Sequence, residues 1–180
     1  MVYVFFAEGF EEVEALTVVD VLRRAQIETL MVGLNKSSVT GSHDISVQMD
    51  LQLEEIENLD EVEMLVLPGG MPGAKHLAEN DDLKKLLNDA LGADLHLAAI
   101  CAAPTVLSKH GLIKGRQFTC YPGFENQIED GVHTDAMVVH DGKLITGKGV
   151  GAALQFALKL VEIIKGEDVS KALAKSMICL

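Results

Sequence analysis

Apolar positions along the chain follow two rhythms. Short unbroken apolar runs of strand length recur, and between them lie stretches with an apolar residue every three or four positions. Val2 to Ala7 is the first run and reads as a buried strand. Gly9 turns the chain, and Glu11 to Ala25 carries Ala15, Val18, Val19, Leu22 and Ala25 at helical spacing, which gives a helix with one core face. Glu28 to Leu34 is a second strand. Residues 36–53 are rich in Ser, Gly and Asp, with short alternations such as Ile45-Ser46-Val47-Gln48-Met49, and predict a small β excursion. Glu63 to Leu67 is another buried strand, stopped by Pro68-Gly69-Gly70. Ala78 to Leu91 reads as a helix with Asn80 or Asp81 as its N-cap. A strand ending at Cys101 follows, then a helix to about Lys109. Gln117 to Cys120 and a hairpin from Met137 to Thr146, turning at Asp141-Gly142, complete the strands. Gly151 to Ile164 and Asp168 to Met177 are the closing helices.

Strands and helices alternate, and the strands are apolar on both faces. That pattern predicts helices covering both sides of a mostly parallel central sheet, a flavodoxin-like three-layer α/β/α sandwich. The 180 residues suffice for one well-buried domain and are short for two. With no linker-like segment, internal repeat or low-complexity tract, residues 1–180 are expected to form a single domain. A hydrophobic content of 48% argues against disorder. The net charge of −12, with no basic run beyond Arg23-Arg24, speaks against a nucleic-acid partner. The cysteines, Cys101, Cys120 and Cys179, are odd in number and widely spaced. They suit a reducing cytoplasm better than a disulfide framework or a CxxC metal site. The first residues lack a basic flank and soon meet Glu8, unlike a signal peptide, and no run of ~18 apolar residues predicts a membrane span.

Candidate chemistry centres on Leu95 to Leu107. An apolar strand ends at Cys101, and Ala102-Ala103-Pro104 opens a helix. Unpaired N–H groups and the helix dipole at that terminus favour thiolate, the reactive form of cysteine. Pro104 suits a first helical turn. The alternative is a small buried hydrophobe. The carboxyl end of a central strand favours function, because open α/β sheets place ligands there.

Loops at the same edge supply possible partners for Cys101. Glu11 and Glu12 are placed for water and for a helix N-terminus. Glu14 aligns with Val18 and Val21 at the border of the apolar stripe, where desolvation raises a carboxyl pKa and suits it to general acid or base work. An ordinary first-turn glutamate is the competing reading. Gly69 and Gly70 permit close backbone approach, and their N–H groups fit an oxyanion hole, although a simple tight loop needs the same glycines. Thr146 to Gly151 is glycine-rich but matches neither a Walker loop nor GxGxxG in its proper context, and Lys148 is expected in solvent. None of the histidines shows metal-ligand spacing, so a metal site is not expected.

Taken in order, Gly9-Phe10-Glu11-Glu12-Val13-Glu14-Ala15, Val19 to Ala25, Val66-Leu67-Pro68-Gly69-Gly70, Ala98 to Pro104 and the glycines of 147–151 resemble the ThiJ/PfpI superfamily. Within it they resemble the parkinsonism-associated deglycase subfamily and its bacterial relatives, across essentially the whole chain. The resemblance implies that Cys101 is an oxidation-prone nucleophile, Glu14 its hydrogen-bonding acid, and Gly70 and Ala102 backbone donors to a bound oxyanion. It also implies a homodimer with active sites near the interface. The implied activities act on reactive carbonyls without glutathione or cofactor: conversion of methylglyoxal to lactate, and removal of early glycation adducts from protein side chains.

Departures from the pattern narrow these expectations. Protease-type members carry histidine directly after the cysteine, where this chain has Ala102, and amidotransferase relatives use a later His-x-Glu pair that is absent here. Tyr121 replaces a histidine that lies near the cysteine in the subfamily. Of an anion-binding corner, one arginine is kept as Arg24 and the other is His43, so Arg24, His43 and Tyr121 are candidate pocket residues. The expected function is therefore a Cys101-dependent carbonyl enzyme that helps against oxidative stress. The alternatives are a redox sensor that oxidises Cys101, a chaperone, and, more weakly, an amidase or peptidase.

Overall fold

Short runs of almost wholly apolar residues, Val2–Phe6, Met64–Leu67 and Leu97–Ile100 among them, build the centre of the fold. The computed structural model describes residues 1–179. In chain order the elements are β1 (Val2–Phe6), α1 (Glu12–Arg24), β2 (Thr29–Gly33), β3 (Ser38–Thr40), β4 (Ser46–Gln48), β5 (Leu51–Gln52) and β6 (Met64–Leu67). There follow α2 (Gly73–Glu79), α3 (Asp81–Gly92), β7 (His96–Ile100), α4 (Pro104–Lys109), β8 (Gln117–Phe118) and β9 (Val132–His133). The last are β10 (Val138–Asp141), β11 (Leu144–Gly147), α5 (Ala153–Lys165) and α6 (Glu167–Ser176).

The main sheet has the order β10-β11-β7-β6-β1-β2-β5. Every pairing in it is parallel except β10 with β11, which form the expected hairpin. The five central parallel strands, counted by their order in the chain, run 2-1-3-4-5, the flavodoxin-like arrangement. Alternate residues feed two cores, one on each face. Tyr3, Phe5, Leu65, Leu67, Leu97 and Ala99 meet α2, α3 and α4. Val2, Val4, Phe6, Met64, Val66, Ala98 and Ile100 meet α1 and α5. The expected three-layer sandwich with a mostly parallel sheet is the observed fold.

Local differences have local causes. The helix expected over Ala78 to Leu91 is two helices. Asn80 takes extended dihedrals between them, and its Oδ1 accepts from the Leu83 N–H at 2.8 Å, capping α3. The Gln117–Cys120 strand is only two residues long. It pairs with β9 in a separate small sheet, with Phe118 buried in the core beneath it. α5 begins at Ala153, after a 3-10 turn over Val150–Ala152.

Candidate active site

The strand order places the ends of β1, β6 and β7 side by side. Ligands of open α/β sheets bind at the carboxyl ends of the strands, beside the point where strand order reverses, here between β1 and β6. After β7 the chain bends sharply at Cys101, whose φ is 64°. A non-glycine residue in that region costs on the order of 1–3 kcal/mol and persists only where neighbours enforce it. Two hydrogen bonds do so. The Cys101 N–H donates to the Gly147 carbonyl at 2.9 Å, and the Cys101 carbonyl accepts from the Tyr121 N–H at 2.9 Å. Pro104 then occupies the first turn of α4, as its sequence position predicts.

Backbone donors converge on the sulfur. The N–H groups of Gly70 and Ala102 favour the charged form of Cys101. Gly70 has φ +91°, and a Cβ there would lie 2.3 Å from the Glu11 nitrogen. Gly69 is required for a different reason. A Cβ on it would fall 2.5 Å from Cys101 Cβ and 2.6 Å from Glu14 Oε2, so only glycine lets thiol and carboxyl meet.

Glu14 projects from the first turn of α1 into this space and is 0% exposed. Its Oε2 accepts from the Gly69 N–H at 3.0 Å, and the adjacent Cys101 thiol opposes part of the rise in its pKa. Oε1 is buried with no nitrogen or oxygen partner. Glu11, the N-cap of α1, fixes the turn by accepting from the Glu14 N–H at 2.7 Å. Glu11 and Glu12 are therefore largely buried, not in water as their position suggests. That shielding comes from the 40–43 loop, where Glu12 accepts from the His43 N–H at 2.6 Å.

Burial raises the Glu14 pKa to about 7. Burial, together with the charge of an ionised Glu14, pushes the Cys101 thiol up to about 12, against the pull of the Gly70 and Ala102 donors. Both shifts express one fact: the dry space holds a single negative charge, so ionising either group opposes ionising the other, and the helix terminus contributes little to the choice. α4 is only six residues long and starts three residues beyond Cys101, so its dipole is weak at the sulfur. Direct N–H donors and the neighbouring carboxyl decide the charge.

Tyr121 sits at the rim and is 49% exposed. A Cβ on Gly149 would lie 3.2 Å from its ring, and the two residues share a shallow depression of about 220 Å³ with Met137, Lys148 and Val150. Lys148 is not simply solvated: it pairs with Asp135. Arg24 and His43 do not join Cys101 within the chain. Arg24 lies ten residues beyond Glu14 on the same helix, roughly 15 Å along it, and pairs with Asp20 at 2.7 Å. His43 bonds Glu12 through Nδ1 at 2.7 Å, and Glu12 and Glu14 point to different helix faces. The His43 partnership raises its own pKa. At Glu12 burial acts upward, but the His43 hydrogen bonds win and the net shift is downward.

Sequence reasoning found Cys101, Glu14, Gly69, Gly70 and Ala102, which the fold brings together. It missed the capping role of Glu11, whose signal was its place three residues before Glu14. It also missed Thr146, whose buried hydroxyl accepts from the Thr119 N–H at 2.9 Å and ties β11 to the segment before Tyr121. Among the described residues, folding gathers possible metal ligands twice: Glu11, Glu12 and His43, and Cys120, Glu125 and His133. In the first group the carboxylates are already used by the helix cap and by His43.

Known proteins share this fold. The sequence model of the DJ-1/PfpI family matches residues 1–163. Protein dj-1beta of Drosophila melanogaster is 38% identical over 178 residues, covering 97% of this chain and 95% of the relative. Its crystal structure superposes with a TM-score of 0.95, covering 98% of this chain and 96% of that one. The glutathione-independent glyoxalase DJR-1.2 of Caenorhabditis elegans is 33% identical over 172 residues, covering 94% and 91% of the two chains. A solved structure of oxidised Toxoplasma gondii DJ-1 is 32% identical at a TM-score of 0.94, covering 98% and 97%. With the fold, its strand-end loops and most of its length in common with these proteins, this chain belongs to the DJ-1/PfpI family.

Proposed function

We propose that the chain is a cysteine-dependent enzyme acting on small reactive carbonyls without glutathione or cofactor. One observation carries the reading: a fully buried carboxyl, Glu14, meets Cys101 across Gly69, and the Gly70 and Ala102 N–H groups favour charge on that sulfur. The pair holds a single negative charge, because two charges cannot share so dry a space. That charge belongs on sulfur. Sulfur has Gly70 N–H, Ala102 N–H and, once Glu14 is protonated, a carboxyl O–H as donors. An ionised Glu14 has the Gly69 N–H and, from the neutral thiol, only a weak S–H donor, with no nitrogen or oxygen partner at Oε1.

With methylglyoxal as substrate, the Cys101 thiolate forms a carbon–sulfur bond to the aldehyde carbon. Glu14 gives its proton to the aldehyde oxygen, and the Gly70 and Ala102 N–H groups hold the developing oxyanion. The resulting hemithioacetal loses its carbon-bound proton to Glu14, which returns it to the neighbouring carbon. The hydroxyl proton passes between the two oxygens through the enediol. This yields a lactoyl thioester. Water cleaves it to lactic acid, and Glu14 recovers the thiol proton. Acid–base help of this kind is worth ~10²–10⁴-fold and an oxyanion donor ~10²–10³-fold. The DJR-1.2 relative is named as a glutathione-independent glyoxalase, which supports the reaction class. Glycated protein side chains are a second substrate class open to the same chemistry. The family resemblance further supports a single functional domain over 1–180, a cytoplasmic homodimer and a role against oxidative stress.

The test is lactate formed from methylglyoxal, with no glutathione or metal, by wild type, Cys101→Ser and Glu14→Ala. Turnover by wild type, lost in both variants, is the expected result. No turnover by well-folded wild type sinks the proposal. The weight then moves to redox sensing, which the same three donors favour because they would also hold a cysteine sulfinate. In that case intact mass after peroxide titration should stop at two added oxygens, on Cys101 alone.

A further inference from the structure

The flap formed by β8 and β9 places a second cysteine in a different chemical setting. Cys120 follows β8 by two residues. Four residues separate it from Glu125 and seven more separate Glu125 from His133, a spacing that announces nothing in the sequence. Folding closes the gap. β8 and β9 pair in parallel with Phe118 opposite His133, and the Thr134 N–H donates to the Phe118 carbonyl at 2.8 Å. The His133 ring is propped against Phe118, with centroids 5.4 Å apart. From the other side the Gly123 N–H donates to Glu125 Oε2 at 2.6 Å, which orients that carboxylate and leaves its second oxygen available. One ligand atom from each of Cys120, Glu125 and His133 then lies within 4.8 Å of the others.

We infer that Cys120, Glu125 and His133 form a binding site for a borderline-soft divalent cation of the zinc class, beside the Cys101 centre but independent of it. The donor set is one sulfur, one imidazole nitrogen and one carboxylate oxygen. Thiolate and imidazole select zinc-like ions over magnesium or calcium, which prefer all-oxygen cages. Bonds of about 2.0–2.3 Å in a tetrahedron put ligand atoms roughly 3.3–3.7 Å apart. Closure by about an ångström is within reach of the exposed His133 ring, whereas Cys120 is fixed in the core. Three protein ligands leave the fourth position to water.

Binding is coupled to a proton. Zinc-class ions are bound by the thiolate, whereas an ordinary cysteine thiol is largely protonated at neutral pH. As the sulfur–metal bond forms, the S–H bond breaks and its proton leaves to solvent. The site also has a mechanical consequence. Tyr121, next in the chain, donates its N–H to the Cys101 carbonyl, so an occupied site pins the segment that forms one wall of the Cys101 elbow.

The experiment titrates the full chain with Co²⁺, then with Zn²⁺, following near-ultraviolet absorption and proton release. One Co²⁺ per chain, a thiolate-to-cobalt band and release of one proton are expected in wild type and unchanged in Cys101→Ala. The band is lost in Cys120→Ala. His133→Ala alters only an exposed ring and cannot be dismissed as misfolding. It should weaken binding by more than ~100-fold, beyond the cost of losing an outer-shell partner. Zn²⁺ should displace Co²⁺ and abolish the band. Absence of binding, binding untouched by the Cys120 and His133 changes, or a band that disappears only with Cys101→Ala would overturn the assignment.

Discussion

At the level of single residues, the site turns on where Glu14 and Cys101 keep one shared proton. The geometry that puts the charge on sulfur predicts alkylation of Cys101 that reaches its plateau well below pH ~8.5, the ordinary thiol value. Glu14→Gln retains a donor toward sulfur and should keep that early plateau. A wild-type plateau only above pH ~9 would place the charge on Glu14 instead. The same carboxyl sets a pH dependence of stability. Burial raises its folded-state pKa from 4.5 to about 7, and because the pair carries one charge this value is that of the pair's first ionisation. A raised carboxyl favours the folded state fully below the unfolded value, and that contribution is lost as pH rises through the folded value. Thermal melts of wild type and Glu14→Gln should therefore run together near pH 4 and separate between pH 5 and 8. The variant should become the more stable by up to on the order of 3 kcal/mol. Parallel curves across that range would mean that Glu14 is not desolvated in solution.

At the level of elements, how much was legible depends on how local each signal was. The central strands were legible because their own residues are apolar on both faces: β1, β6 and β11 are buried at every position. Cys101 was legible because the strand, the bend and the helix start are consecutive. Glu14 was legible from helical phase alone, with its full burial beyond reach because that depends on Gly69 approaching from another strand. α2 was hidden by Pro72-Gly73, which reads as loop punctuation although proline just before a helix start is compatible with it. Lys148, placed in solvent by composition, is held by Asp135, a partner thirteen residues away. The Cys120 cluster was invisible for the same reason. Its ligands are gathered by a two-residue ladder that no periodicity marks. Arg24 and His43 show the converse: a family pattern kept in sequence does not by itself converge within one chain.

At the level of the whole molecule, the two cores have different duties. Leu87 and Phe156 are both fully buried, but on opposite faces of the sheet. Leu87 lies in the middle of α3 and supports only that layer. Phe156 of α5 reaches the end of β11, where a Cβ on Gly147 would lie 3.0 Å from its ring. The Gly147 carbonyl is the group that accepts the Cys101 N–H and so helps to enforce the bend at φ 64°. Leu87→Ala should lower stability by about 2–5 kcal/mol and Phe156→Ala by about 3–5 kcal/mol, both through a cavity in a close-packed core. Their effects on the site should differ. Folded Leu87→Ala, assayed well below its melting temperature, should turn over methylglyoxal at the wild-type rate. Phe156→Ala should turn it over more slowly, because the carbonyl that holds the strained cysteine has lost its backing. Equal rates for the two variants would show that the bend is enforced by the Tyr121 and Gly147 hydrogen bonds without help from the layer beneath them.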